Sequence, residues 1–97
     1  MTSKKSVLTK KYIEFQNEIS KVIDTDIFPS LEDIDIVDML VIFDMNFGTT
    51  HSDDEMINAI DLLIDVRGLF ISDNDRVLIY PIAIKFIRWL KKFNSDN

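Results

Sequence analysis

The apolar residues of this chain recur mainly at the spacing of an α-helix, and this periodicity limits the folds that the chain can adopt. The first apolar stripe has positions three or four residues apart, namely Leu8, Tyr12, Phe15, Ile19, Val22 and Ile23. Lysine and glutamate residues occupy positions between them. Such a stripe gives a helix one apolar face, which must pack against another element. The spacing predicts an amphipathic helix from about Ser6 to Asp24.

A second helix is predicted from its expected cap and from its composition. Ser30 is a residue type that often begins a helix, because its hydroxyl accepts a backbone hydrogen bond. The chain from 34 to 47 is then apolar nearly all round, with Asp35 and Asp38 on one narrow polar side. This pattern favours a central, mostly buried helix that ends at Gly48.

A capping box predicts the start of the third helix. Ser52 and Glu55 stand three positions apart, so that each side chain can satisfy a backbone donor of the other. Arg67 and Gly68 are typical of a helix end, since a cation favours the C-terminal dipole and glycine accepts a left-handed turn. The buried face is predicted to contain Met56, Ile60, Leu63 and Ile64, and the exposed face Asp54, Asn58, Asp61 and Asp65.

A short β-hairpin is predicted after the third helix. Two apolar runs, 69–71 and 77–80, flank residues 72–75, whose side chains favour a turn. Pro81 then suits the first position of a last helix. The apolar face of that helix contains Ile82, Phe86, Trp89, Leu90 and Phe93. The predicted fold class is therefore mainly α, with four helices and a short β-hairpin between helices 3 and 4.

The chain has the length of one domain. No linker, repeat or low-complexity tract divides its 97 residues. We expect residues 1–97 to form a single compact domain with short flexible tails at both ends, the C-terminal one at 94–97. No apolar run approaches the ~18 residues that a membrane span requires, and no apolar leader follows the first lysines. These features predict a cytoplasmic protein that does not contact membranes.

Composition and motifs argue against catalysis and against a bound cofactor. The chain has no cysteine and one histidine, His51, which stands in a predicted loop. A cysteine nucleophile is thereby excluded, and too few ligands remain for a zinc site. Gly48 and Gly68 are the only glycines, so there is no glycine-rich phosphate loop. We predict that the protein is not an enzyme and that it has no catalytic, cofactor-binding or metal-binding residues.

Charge is distributed unevenly along the chain. Residues 24–66 contain twelve acidic residues and no lysine or arginine, whereas 1–23 and 67–97 each carry a net charge of +3. Two interpretations remain open. The basic terminal segments can neutralise the acidic segment through surface ion pairs, each worth about 0–1 kcal/mol. Alternatively, the carboxylates stay exposed and steer a basic partner to an acidic face.

Seven acidic residues are the candidate partner-binding residues: Asp35, Asp38, Asp53, Asp54, Glu55, Asp61 and Asp65. They predict a non-enzymatic protein-binding module whose acidic face docks on a basic protein. Inhibitors or immunity proteins that occupy the cationic nucleic-acid site of a nuclease have such a surface, and so do adaptors that bind a polymerase or a regulator. The expected partner is therefore a basic protein, such as a nuclease or another nucleic-acid-binding protein. If the basic terminal segments instead neutralise the acidic segment, the expected counter-ions of Asp61 and Asp65 are Lys85, Arg88 or Lys92. The sequence does not indicate an oligomeric state.

Residues 56–81 resemble a winged-helix domain, because a helix runs into Arg67 and Gly68 and a predicted hairpin with a polar turn follows. The resemblance implies a recognition helix at 56–66 and a wing tip at 72–75, with a transcriptional regulator as an alternative function. Both elements carry aspartates, and duplex DNA presents one negative charge per ~1.7 Å. We therefore do not expect direct binding to nucleic acid.

Residues 32–39 resemble the central helix of acyl carrier proteins, whose pattern is Asp-Ser-Leu-Asp-x-Val-Glu-Leu. The similarity continues through Phe47-Gly48 and Ser52-Asp53-Asp54-Glu55 at similar spacing. The resemblance implies a scaffold that binds partners through an acidic central helix. Asp33 stands where the serine that carries phosphopantetheine would be, so a second alternative is a carrier-like protein that has lost its prosthetic group.

Overall fold

Each helix of this protein begins at a polar side chain that caps it. In the computed structural model, which describes residues 3–95, these side chains accept a hydrogen bond from a backbone N–H group two or three residues later. The capping residues are Ser3, Asp35, Ser52 and Ser72. The helices are α1 (Lys4–Ser20), α2 (Ile36–Phe47), α3 (Asp53–Val66) and α4 (Asp73–Ser95). The predicted mainly α fold class is confirmed, and no strand occurs between residues 3 and 95.

The predicted β-hairpin is wrong, because its turn is the first turn of α4. The Ser72 hydroxyl accepts a hydrogen bond from the Asp75 N–H at 3.2 Å, and the Ser72 carbonyl accepts one from the Arg76 N–H at 2.9 Å. Residues 73–80 continue as helix. The apolar run 77–80 has the length of a short strand or of one helical turn, and its pattern does not distinguish the two. The cap at Ser72 decides in favour of the helix.

Pro81 lies inside α4 and not at its first position. Proline has no N–H group, so the hydrogen bond that residue 81 would donate to the Val77 carbonyl cannot form. The side chains of Pro81 and Val77 are both exposed, so this interruption lies on the side of α4 that faces solvent. Water can hydrogen-bond to a carbonyl there, so the Val77 carbonyl is not left without a partner.

Replacing Pro81 by alanine is expected to stabilise the protein. A proline inside a helix costs about 3 kcal/mol, and its restriction of the unfolded chain offsets ~0.4–1 kcal/mol of that. Urea denaturation should therefore give a P81A variant whose free energy of unfolding is higher by about 2 kcal/mol. Proline is favourable at the first position of a helix. Unchanged or lower stability of P81A would thus contradict a continuous α4.

α2 begins later than the sequence predicted. The Ser30 hydroxyl accepts a hydrogen bond from the Glu32 N–H at 3.2 Å, and the Ser30 carbonyl accepts one from the Ile34 N–H, so these residues form a single turn. Asp35 has an extended backbone, and its carboxylate accepts a hydrogen bond from the Val37 N–H at 2.8 Å. The helix therefore starts at the residue after Asp35.

The prediction that α2 is mostly buried is wrong for one side of the helix. Its core-facing side chains are Ile36, Met39, Phe43 and Phe47. Val37, Val41 and Met45 are more than half exposed. α2 packs against α1 and α3, and a domain of four helices covers such a helix on one side only. Apolar residues all round a helix therefore do not imply burial all round.

Aromatic side chains fill the region where three of the helices meet. The rings of Phe15 in α1 and Phe86 in α4 are stacked with centroids 4.6 Å apart. Phe43 of α2 contacts both rings edge-on, at 6.4 and 5.3 Å. Phe28, from the connection between α1 and α2, stacks on Phe43 at 4.7 Å. Burial of each such side chain contributes about 1.5–3 kcal/mol, and the ring contacts add to it.

α3 ends as predicted, at a glycine in the left-handed region. Gly68 has a φ of 68°. Its N–H donates to the Asp65 carbonyl, and the N–H of Leu69 donates to the Ile64 carbonyl, both at 3.1 Å. This hydrogen-bond pair is a Schellman motif. It turns the chain from α3 towards the start of α4.

α4 extends into the predicted C-terminal tail. Asn94 and Ser95 belong to the helix, and the Ser95 hydroxyl donates a hydrogen bond to the Lys91 carbonyl at 2.8 Å. The remaining parts of the predicted tails, 1–2 and 96–97, lie outside the described residues. Between residues 3 and 95, no helix combines the length and the hydropathy needed to cross a membrane.

Candidate functional site

The connection between α1 and α2, residues 21–35, is the longest connection within residues 3–95. Its middle is buried, since Ile27 and Phe28 are 1% and 3% exposed. The carboxylates on either side of this buried pair are exposed, namely Asp24, Asp26, Glu32 and Asp33. None of these four forms an ion pair with a cationic group of the described chain.

Tyr12 fixes the backbone of this connection to α1. Its side chain is fully buried, and its hydroxyl donates a hydrogen bond to the Pro29 carbonyl. The Gln16 amide donates to the same carbonyl at 3.2 Å. Burial raises the pKa of the Tyr12 hydroxyl, the charge of Asp26 raises it further, and the Arg67 guanidinium opposes both. Tyr12 therefore stays protonated and keeps its role as a donor.

Arg67 fixes the same connection from α3. Its guanidinium donates a hydrogen bond to the Ile27 carbonyl. Two carbonyls two residues apart, those of Ile27 and Pro29, are thus held by a side chain of α1 and by the C-cap residue of α3. The exposed carboxylates of residues 21–35 consequently project from a backbone with a defined position.

The cap and first turn of α2 contain two of the seven predicted partner-binding residues. Asp35 caps the helix and lies 3.9 Å from the Lys5 ammonium, and these side chains are 52% and 65% exposed. An exposed pair at this distance contributes little, about 0–1 kcal/mol. Asp38, in the first turn, and Asp44, near the end of α2, are exposed and form no ion pair within residues 3–95.

We refer to the six exposed carboxylates of this region that form no ion pair with residues 3–95 as the loop–α2 carboxylates. They are Asp24, Asp26, Glu32, Asp33, Asp38 and Asp44. Of these, Asp38 is the single residue that was also among the seven predicted partner-binding residues. Asp33, which stands at the position of the prosthetic-group serine in the carrier resemblance, is exposed in the turn before α2.

The carboxylates along α3 are in a different situation, because α4 supplies their counter-ion. The Arg76 guanidinium donates to Asp61 and to Asp65, each at 3.2 Å. The Tyr80 hydroxyl donates to Asp61 at 2.6 Å, and Nε of Arg76 donates to the Ile71 carbonyl at 3.1 Å. Arg76 is well covered, with 17% of its side chain exposed. This hydrogen-bonded network holds the start of α4 against the end of α3.

The network changes the proton affinities of its members. Burial alone lowers the pKa of Arg76, but its hydrogen bonds to Asp65 and Asp61, together with their charges, outweigh burial and raise it. Burial and the hydrogen bond to Asp61 raise the pKa of Tyr80 to about 12. Both side chains therefore keep their protons at neutral pH and act as donors to the α3 carboxylates.

The last three predicted partner-binding residues, Asp53, Asp54 and Glu55, lie in the first turn of α3. Arg88 of α4 pairs with Asp53. Asp54 and Glu55 form no ion pair with the part of the chain that the structure describes. Ser52 accepts from the Glu55 N–H and donates its hydroxyl to the Glu55 carboxylate, both at 3.2 Å. The predicted cap is confirmed, although the Glu55 side chain contacts the serine hydroxyl and not the serine backbone.

The structure therefore divides the seven predicted residues into two groups. Asp35, Asp53, Asp61 and Asp65 form ion pairs, whereas Asp38, Asp54 and Glu55 form none among residues 3–95. The counter-ion of Asp61 and Asp65 is Arg76 and not one of the lysines or arginines further along α4, since Lys85 pairs with Glu18 at 3.6 Å. Sequence reasoning missed Arg76 because it placed residues 72–80 in a hairpin.

Sequence reasoning also left out five of the loop–α2 carboxylates, since it took only Asp35 and Asp38 from residues 24–47 as partner-binding residues. The absence of lysine and arginine over residues 24–66 is the sequence signal that includes all six. A carboxylate in the middle of such a segment can find a counter-ion only from another part of the chain. The connection between α1 and α2 receives Arg67 at a carbonyl, not at a carboxylate.

The described residues offer little for covalent or metal chemistry. His51 is exposed in the short connection between α2 and α3. Within residues 3–95, no three or more His, Cys, Asp or Glu side chains are grouped so that they could hold a metal ion. A groove of about 530 Å³ runs along α1 and is lined by side chains of α1 and its cap alone. A groove on a single helix does not surround a ligand as an active-site pocket does.

The residues that the winged-helix resemblance assigned to the wing tip, 72–75, form the cap and first turn of α4. Comparison with known proteins gives no match to a protein-family model, to a curated protein or to a solved structure.

The free energy of unfolding is expected to fall as the pH rises from 10 towards 12. The pKa of Tyr80 is about 12 in the folded chain and 10.0 for an unperturbed tyrosine, so the folded state binds more protons in this interval. The stabilisation is present below pH 10 and is lost as the pH passes through the folded value. The raised pKa of Tyr12 acts in the same direction.

Urea denaturation of the wild type and of Y80F, at several values from about pH 8 to about pH 12, measures this effect. The decline should be shallower in Y80F, because only Tyr12 then contributes a raised tyrosine pKa. Both proteins share the same lysines, whose deprotonation therefore cancels in the comparison. Equal declines would contradict the hydrogen bond from Tyr80 to Asp61 as the cause.

Proposed function

We propose that the protein is a non-enzymatic protein-binding module whose loop–α2 carboxylates dock on a basic surface of a partner protein. The proposal is based on a difference between the carboxylates of α3 and the loop–α2 carboxylates. Asp61 and Asp65 have a counter-ion on α4. The loop–α2 carboxylates are exposed, and they form no ion pair among residues 3–95.

Carboxylates without counter-ions repel one another and lower the stability of the compact chain. The same charges attract a cationic partner over about one Debye length, ~8 Å at physiological ionic strength. This attraction raises the association rate, and it discriminates against acidic partners. The backbone contacts of Tyr12 and Arg67 support this role, because they hold the carboxylates of residues 21–35 in place before a partner arrives.

The chemistry of the partner follows from the sign and density of these charges. Proteins that bind nucleic acid line their binding surfaces with lysine and arginine for contacts to phosphate. An inhibitor or immunity protein would place its carboxylates at the positions where a nucleic-acid-binding protein binds phosphate groups. An adaptor that holds a basic regulator would use the same residues. Both are binding roles and need no catalytic group.

The proposal predicts that removing loop–α2 charges weakens partner binding. A variant with E32Q, D33N and D38N loses three negative charges from this region. Its affinity for the partner should fall by about tenfold or more, since each ion pair with the partner contributes roughly 0.5–1 kcal/mol. The partner is first recovered from host extract on the immobilised wild-type protein and identified by mass spectrometry. Its dissociation constant is then measured by calorimetry with each purified variant.

The matched control is a variant with E14Q, D73N and D75N, which loses the same charge from α1 and α4. This control should bind as the wild type does. Wild-type affinity should fall as NaCl rises from about 50 to about 300 mM. The proposal is wrong if affinity does not depend on salt, or if both triple variants weaken binding equally.

A further inference from the structure

The outer face of α2 is apolar, although it faces away from the core. Val37, Val41 and Met45 follow one another at intervals of four residues, and they are 55%, 54% and 80% exposed. Met39 and Phe43, on the inner face of the same helix, are 0% and 2% exposed. The three exposed side chains form a ridge of about 12 Å along the helix, given a rise of 1.5 Å per residue. We call Val37, Val41 and Met45 the α2 ridge.

Scattered exposed apolar residues are ordinary in proteins, but aligned ones indicate a binding surface. The α2 ridge is aligned by helical periodicity, because residues four apart lie on the same face of a helix. Val77 and Leu78 in α4 are also exposed, at 63% and 56%. They are adjacent in sequence and therefore point in directions about 100° apart. They do not form such a ridge. Leu62 and Val66 of α3 are four residues apart and 63% and 75% exposed, but the carboxylates beside them already have Arg76 as their counter-ion.

Two of the loop–α2 carboxylates border the ridge. Asp38 follows Val37 and Asp44 precedes Met45, and at about 100° per residue they fall on opposite sides of the ridge. Both are exposed. Neither has an ion-pair partner in residues 3–95. The surface is therefore apolar along its middle and acidic along both edges.

We propose that the α2 ridge is the docking surface for an amphipathic α-helix of the partner, with apolar side chains along one stripe and lysine or arginine on both sides of it. This inference rests on the proposed function and names the partner element that the surface fits. A ridge of residues four apart packs into the groove of another helix. Asp38 and Asp44 then lie opposite the cations at the edges of the stripe.

A second copy of this chain fits the surface less well. A two-fold contact of ridge on ridge would bring the Asp38 and Asp44 carboxylates of both copies into one interface, and residues 24–66 contain no lysine or arginine to offset their charge. Like charges that face one another disfavour such a contact. Charge complementarity therefore selects a cationic helix over self-association.

The test uses a synthetic amphipathic Leu–Lys helix of about five turns as the probe. Binding is measured by calorimetry, and the site is mapped by amide chemical-shift changes in two-dimensional NMR. We compare a V41Q/M45Q variant with a V77Q/L78Q control, in which equally exposed apolar side chains of α4 are replaced. All four positions are exposed, so both variants should fold as the wild type does.

The expected result is that V41Q/M45Q weakens binding of the Leu–Lys helix by about tenfold, while V77Q/L78Q leaves it unchanged. The shift changes should centre on α2, and a Leu–Glu helix of the same length should not bind. Equal affinity of the two variants, or shift changes centred elsewhere, would overturn the inference. So would concentration-dependent dimerisation in light scattering that V41Q/M45Q abolishes.

The two proposals fail differently in this experiment. If E32Q/D33N/D38N weakens binding of the Leu–Lys helix and V41Q/M45Q does not, the acidic surface binds cations but the α2 ridge is not the docking surface. If neither variant differs from the wild type, both the ridge and the acidic surface are excluded as binding sites for a cationic helix. Loss of binding in both variants supports both proposals.

Discussion

The fold depends on Phe43, whose ring contacts aromatic side chains from three other parts of the chain. It meets Phe15 of α1 and Phe86 of α4 edge-on, and it stacks on Phe28 of the α1–α2 connection. These contacts fix the rotation of α2 about its own axis. Because Phe43 points inward, the residues half a turn away point outward, and the α2 ridge is exposed as a result. The packing that stabilises the core therefore also determines which surface α2 presents.

The acidic residues of the chain divide according to the element that faces them. α3 lies beside α4, and Arg76 and Arg88 reach its carboxylates. In the connection between α1 and α2, Lys5 pairs only with Asp35 at its end, and Arg67 donates to the Ile27 carbonyl. The same kind of residue is thus part of the internal structure in one half of the chain and part of the exposed surface in the other. The density of acidic residues along the sequence does not distinguish paired carboxylates from exposed ones. Whether a carboxylate forms an ion pair depends on which helices pack together.

Much of the fold could be predicted from local signals in the sequence. The stripe that includes Tyr12, the cap at Ser52 and the left-handed Gly68 each act over one or two helical turns. α3 formed where predicted, whereas α1 begins two residues before the predicted Ser6 and ends four residues before the predicted Asp24. The hairpin was wrong because Pro81 suggested a helix start, while Ser72 carries the cap. Because of that error, Arg76 was not identified as the counter-ion of Asp61 and Asp65. The exposure of one side of α2 could not be predicted, because composition does not reveal how many neighbours a helix has.

The two carbonyl contacts made by Tyr12 and Arg67 have a thermodynamic consequence for recognition. Ordering one backbone residue costs roughly 1–2 kcal/mol of conformational entropy, and a segment that is disordered before binding loses that entropy on association. Residues 21–35 have already lost it during folding, at the expense of fold stability. A partner that contacts their carboxylates therefore meets a preorganised surface, so a small interface can still give a useful affinity.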